Sequence, residues 1–170
     1  MLELTERHTH GPSNGESHDV LCLPYADRIK GRLRTRTEGG REAGLFIERG
    51  QVLNDGDWLR ARTGEWIQVR AADEPVVTAR IGTGLPLARL AYHLGNRHVT
   101  LEVGEDGSGS WIRFQPDHVL EDLAIRLGAS LRHHQAPFNP EPGAYQGQGR
   151  HGAGHAHHHS HEHDRHDPIH

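Results

Sequence analysis

The chain has 170 residues, 34% hydrophobic composition, a mean hydropathy of -0.75 and a formal charge of -4, which allows one ordinary domain or two small ones with part of the chain unfolded. No basic excess is present, so nucleic acid is excluded as a main partner. Cys22 is the only cysteine, which rules out an internal disulfide or thiolate cluster within one chain. With no basic leader and no apolar run of roughly 20 residues, the sequence predicts a soluble, cytoplasmic protein without a membrane partner.

The outlier is histidine, 17 residues against 19 Lys plus Arg, the residue type that titrates near neutral pH and ligates metals most often, which points to function there. In chain order, His8, His10 and His18 fall in a Gly/Pro/Ser/Asn-rich opening that reads as disordered. Short strands are predicted at Val20 to Tyr25, Arg32 to Thr37, Gly44 to Ile47, Trp58 to Arg62 and Trp66 to Arg70, punctuated by Asn54-Asp55-Gly56-Asp57 and Thr63-Gly64-Glu65. This is a small all-β domain over 1–74. Alternation places Leu33, Phe46, Leu53, Leu59, Ile67 and Val69 in its core and leaves Arg32, Arg34, Arg36, Arg60, Arg62 and Arg70 outside. That basic face reads either as solvated edge protection or as a docking surface for an acidic partner.

The boundary is expected at Asp73-Glu74-Pro75, where proline breaks a ladder. Val76 to Ile81 reads as a strand, and Gly82-Thr83-Gly84 leads into a helix with Pro86 in its first turn. Leu87, Leu90, Ala91 and Leu94 form the apolar stripe of that helix and Gly95 its left-handed cap. From His98 the period becomes two. Val99, Leu101 and Val103 share the inner face of a strand, and His98, Thr100 and Glu102 the outer. A hairpin at 104–109 leads to a strand from Trp111 to Gln115. A second helix spans Asp117 to Leu127, with Leu120, Leu123, Ala124 and Leu127 as its stripe and Gly128 as its stop, and a strand follows from Ala129 to His134. The order β-α-β-β-α-β over 75–146 is ferredoxin-like, so the fold class is α+β. Its small core would gain from burial against a second copy.

From Pro137 periodicity is lost. The tail, 147–170, carries His151, His155, His157, His158, His159, His161, His163, His166 and His170, interleaved with Glu162, Asp164 and Asp167. Purification tags are uniform runs, and this segment is interrupted. It reads as disordered without metal, a high-capacity and loosely specific binder that would favour copper and not separate nickel from zinc. His98 is the more discriminating candidate. By itself it reads as a surface histidine, a helix-end cap, or a nickel, zinc or copper ligand. One imidazole cannot fill a coordination shell, so a ligand there needs partners.

Around this position Tyr92-His93-Leu94-Gly95-Asn96-Arg97-His98 resembles the signature of the UreE-type urease accessory proteins, cytosolic nickel metallochaperones. The likeness extends through Gly44-Leu45-Phe46, Gly50-Gln51-Val52-Leu53, Asp55-Gly56-Asp57, Asp117-His118-Val119-Leu120, the exit Pro137-Phe138-x-Pro140-Glu141-x-Gly143-Ala144-Tyr145, and the histidine tail. The resemblance implies a peptide-binding-like β domain, a ferredoxin-like metal-binding domain, and a homodimer in which the histidine at position 98 of each subunit shares one Ni(II). It also implies handover to apo-urease and its accessory complex, including the accessory GTPase, with Zn(II) or Cu(II) as alternative cargoes in vitro.

His118, at a helix start whose dipole favours a free imidazole lone pair, is expected as a peripheral ligand. Some family members carry another histidine two positions earlier, where this chain has Pro116. His93 reads as structural, capping, or support for the metal site, and His133 and His134 as tail-assisting ligands or surface residues. A general metal buffer with no dedicated recipient is the competing binding function. Catalysis is not expected. No His-Glu-x-x-His, Gly-x-Ser-x-Gly or phosphate-cradling loop is present, and Asp117 and His118, adjacent on a helix, diverge. Trp111 and Phe114 do not supply the paired stacking aromatics of an RNA-recognition sheet.

Overall fold

The structure is a computed structural model that describes residues 1–13 and 15–142. Its elements are β1 (Leu2–His8), β2 (Asp19–Leu23), α1 (Tyr25–Arg28), β3 (Arg32–Arg36), β4 (Glu42–Phe46), β5 (Trp58–Ala61), β6 (Trp66–Ala71), β7 (Asp73–Arg80), α2 (Leu85–Gly95), β8 (Glu102–Asp106), β9 (Gly109–Phe114), α3 (His118–Arg126) and β10 (Ser130–Pro137).

The first half is a six-stranded sheet in the order β2-β6-β5-β1-β4-β3. Leu4, Leu21, Leu45, Leu53, Leu59, Ile67 and Val69 fill its core. Two expectations need correction. The opening is not disordered: Leu2–His8 lies inside the sheet, parallel to β4 and antiparallel to β5, with Leu2 and Leu4 buried. Its alternation is short because the register shifts between Leu4 and Glu6. Phe46 is 43% exposed, because β4 turns Ala43 and Leu45 inward and the parity sends Phe46 out. Gly44 is buried beneath it: a Cβ there would lie 2.8 Å from the Phe46 ring.

The second half is an antiparallel sheet in the order β10-β7-β9-β8. Proline does not end the ladder at 75. The strand β7 begins at Asp73, and Pro75 pairs with Gln135 of β10, while β9 pairs only with residues 77–79. Proline is tolerated where one side of the strand has no neighbour. Leu90, Leu94, Leu120 and Ala124 of the two helices pack with Val77, Ala79, Ile112 and Phe114 of the sheet. Asp117 caps α3, its Oδ1 accepting from the N–H groups of Val119 at 2.9 Å and Leu120 at 3.0 Å, and Gly128 follows at φ 94°.

The two halves meet around Arg28, at the end of α1. It is 1% exposed, and its Nη1 donates to the Leu53 carbonyl at 3.1 Å and to Asn139 Oδ1 at 3.3 Å, while Nη2 donates to the Phe138 carbonyl. Tyr25 sets its ring edge-on to Phe138 at 5.4 Å and donates its backbone N–H to Glu74 at 2.6 Å. Glu74 also accepts from Gln115 at 2.9 Å. Burial pulls the guanidinium pKa down, opposed chiefly by the charge of Glu74.

Removing this side chain would leave buried carbonyls on both halves without donors. Arg28→Ala is expected to cost about 3 kcal/mol in urea unfolding, against about 1 kcal/mol for the cap variant Asp117→Ala.

Candidate metal centre

Helix α2 buries Leu90 and Leu94 and ends at Gly95. Two further turns carry the chain past it: Arg97 N–H donates to the Leu94 carbonyl at 3.1 Å and His98 N–H to the Gly95 carbonyl at 3.0 Å. The left-handed residue is therefore His98, at φ 56°, and not Gly95. The expected strand does not start here either; β8 begins at Glu102. The alternation survives in part without it. Val99 and Leu101 are half-buried against the second core, and His98 and Thr100 are exposed, but Val103 is exposed and Glu102 half-buried. Glu102 is turned inward because its carboxylate takes the Arg113 guanidinium at 3.4 Å and the Asn139 N–H at 3.1 Å.

A left-handed conformation costs a residue with a Cβ about 1 kcal/mol. At His98 it aims an imidazole off a rigid helix end, away from the apolar packing of its neighbours. The ring lines a cleft of about 800 Å³ between the two halves, faced by Arg7, Gln51 and Asn54 on one side and by Leu101, Asn139 and Glu141 on the other. Glu141 N–H donates to the Leu101 carbonyl at 2.8 Å, which ties the departing chain to the loop carrying His98. Residues 140–142 also line the cleft, so the chain leads toward its histidine segment from beside the candidate ligand. The proline-rich exit was the sequence signal for this segment, but nothing in it marked Asn139 or Glu141 as cleft residues.

No three His, Cys, Asp or Glu side chains converge to hold a metal among the described residues. His118 is the first residue of α3 and exposed, and it belongs to no cluster of three or more such side chains among the described residues. His151, His155, His157, His158, His159, His161, His163, His166 and His170 lie outside the described residues. His93 is exposed, its ring 5.2 Å from that of Tyr92. His133 Nε2 stands 2.8 Å from the Glu121 carboxylate. His134 is half-buried and shares a 2.8 Å hydrogen bond with Thr78 Oγ1, which also accepts from Arg113 at 3.1 Å. Burial, then the charges of Arg113 and Arg132, lower the pKa of His134.

Two histidines expected in a disordered opening have structural contacts instead. His8 packs its ring on Trp66 at 4.8 Å, and His18 Nδ1 accepts the Trp66 N–H at 3.1 Å. The basic outer face is largely neutralised: Arg34 and Arg36 reach Glu42, Arg60 reaches Glu6, Arg62 reaches Glu3 and Arg70 reaches Glu38.

Family models described as the UreE urease accessory protein, N-terminal domain and C-terminal domain match residues 3–72 and 74–166. The chain is 60% identical to the urease accessory protein UreE of Marinobacter nauticus over 156 residues, 88% of this chain and 86% of that protein. It is 59% identical to the one from Pseudoalteromonas translucida over 151 residues, 88% of each. With the one from Vibrio parahaemolyticus it shares 49% identity over 128 residues, 75% of this chain and 78% of that protein.

If His98 is held left-handed for its ligand, His98→Gly should raise stability by about 1 kcal/mol in urea unfolding while weakening nickel binding; lower stability would show the imidazole to be a structural part. The lowered His134 pKa gives a second expectation. As pH falls below the ordinary value of 6.5, unfolded chains take up a proton before folded ones do, so stability declines until the lower folded value is passed. His134→Gln should flatten that decline in urea midpoints measured on either side of pH 6.5.

Proposed function

The chain belongs to the UreE family of urease accessory proteins, and we infer that it is a nickel metallochaperone that captures Ni(II) and delivers it to apo-urease during assembly of the metallocentre. It is an accessory carrier rather than an enzyme. The observation that carries this reading is the exposed His98 imidazole, fixed in a left-handed turn at the cleft beside which the chain departs toward the histidine segment.

Neutral imidazole suits nickel, zinc and copper alike, so zinc and copper compete for the same nitrogens in vitro. A carrier needs ligands that a recipient's own ligands can approach, and His98 is open on that side. One imidazole per chain needs symmetric company. A homodimer formed through 75–146, read as a ferredoxin-like metal-binding domain, would set two copies of His98 on one ion. Histidines 151–170 gather ions and complete the shell, and His118 adds a weaker peripheral site. The N-terminal β domain, 1–74, is left free for protein contacts with the urease accessory complex, including its GTPase, in the cytoplasm.

Nickel titration of three proteins tests this. His98→Ala should abolish the tightest site, with one ion per pair of chains lost. Truncation after Arg150 should remove most of the capacity and keep the tightest site. Loss of affinity only on truncation would identify a metal buffer.

A further inference from the structure

The strand β3 is the last of the first sheet, with β4 as its neighbour. Main-chain bonds fix its parity: Ile47 N–H donates to the Gly31 carbonyl at 2.9 Å and Thr37 N–H to the Arg41 carbonyl at 3.0 Å, in register with Leu33↔Leu45 and Thr35↔Ala43. Hydrogen-bonded pairs alternate along an antiparallel ladder. Leu33 and Thr35 therefore spend their peptide groups on β4, while Arg32, Arg34 and Arg36 direct theirs to the open edge. These same three residues send their side chains to the outer face.

Two features of that face go beyond edge protection. Three guanidiniums are aligned there, and Arg34 and Arg36 both reach the one Glu42 carboxylate, each at 3.4 Å. The exposed side chains of Phe46 and Met1 stand beside them, and with Arg32, Leu33, Arg34 and Gly44 they border a hollow of about 290 Å³. Exposed apolar surface rimmed by cations on a strand with one open edge fits an extended chain carrying the opposite charge.

We propose that β3 receives an acidic, extended segment of a partner protein by strand addition. Residues of that segment opposite Arg32, Arg34 and Arg36 share their face, so carboxylates at every second position meet guanidiniums. One apolar side chain on the same face enters the hollow against Phe46 and Met1. The surface lies in the first sheet and stands independently of how His98 handles metal.

The probe is a short fluorescent peptide in which glutamate alternates with valine and one glutamate is replaced by phenylalanine, titrated by anisotropy into the full chain in chelator. Binding should weaken with salt and be lost when lysine replaces glutamate or when alternate amides are N-methylated. The double variant Arg34→Glu with Arg36→Glu should weaken binding about tenfold or more, Phe46→Ser should weaken it too, and Arg60→Glu, on the inner strand β5, should not. Phe46→Ser and the N-methylated peptide keep the test decisive should the double variant lose its thermal transition. Absence of peptide binding, equal binding of the lysine or N-methylated peptide, an equal loss in Arg60→Glu, or a changed oligomeric state in the double variant would overturn the proposal. The last result would assign the edge to a second copy of the chain.

Discussion

A buried guanidinium, with the Tyr25 contacts to Phe138 and Glu74 beside it, joins the two halves. Arg28 is buried between them, and its donors end on carbonyls from both sides, Leu53 from the first half and Phe138 from the second. A charge taken out of water is costly unless several acceptors replace the solvent. The site is therefore sensitive to geometry: the halves must hold those carbonyls at the right separation or the guanidinium loses its hydrogen bonds. Its Nε has no partner among the described residues, which leaves the two Nη groups to bear that role.

The cleft with His98 follows from this contact. Asn139 accepts from Arg28 and, through its own N–H, donates to Glu102, so the departing segment is fixed at both ends of one residue. Glu141 then holds the Leu101 carbonyl. The loop from His98 to Leu101 is pinned by that bond on one side and by Val99 and Leu101 in the second core on the other. A metal ligand needs this stiffness, because ordering a mobile side chain at the moment of binding subtracts from affinity.

The electrostatics of the first sheet show how pairing redistributes a sequence-level impression. Six arginines on alternate positions suggest a basic face, yet five of them meet carboxylates across the strands. Charge that is balanced in the sheet interior stays concentrated at its β3 margin, where Arg34 and Arg36 share one carboxylate and, among the described residues, no further strand brings more. Whether a basic strand repels or recruits another chain depends on what stands next to it.

Periodicity made most elements legible. The stripes of α2 and α3, the hairpin between β8 and β9 and the Gly128 stop were readable because each depends on neighbours a few residues apart. The candidate ligand was readable for another reason, a local run from Tyr92 to His98 together with an excess of histidine. The strand β1 was not readable, since two buried leucines become a strand only when β4 and β5 flank them. Nor was the passage of β7 through Pro75, which depends on how far β9 extends. By itself the sequence determined where chains turn, which faces are apolar and that an imidazole at 98 avoids the core. Only the tertiary structure decided that Phe46 faces out, that His98 is left-handed, and that Arg28 closes a cleft around it. Those outcomes depend on contacts between residues far apart in the chain, such as the 110 positions separating Arg28 from Phe138, and no local pattern encodes a partner at that distance.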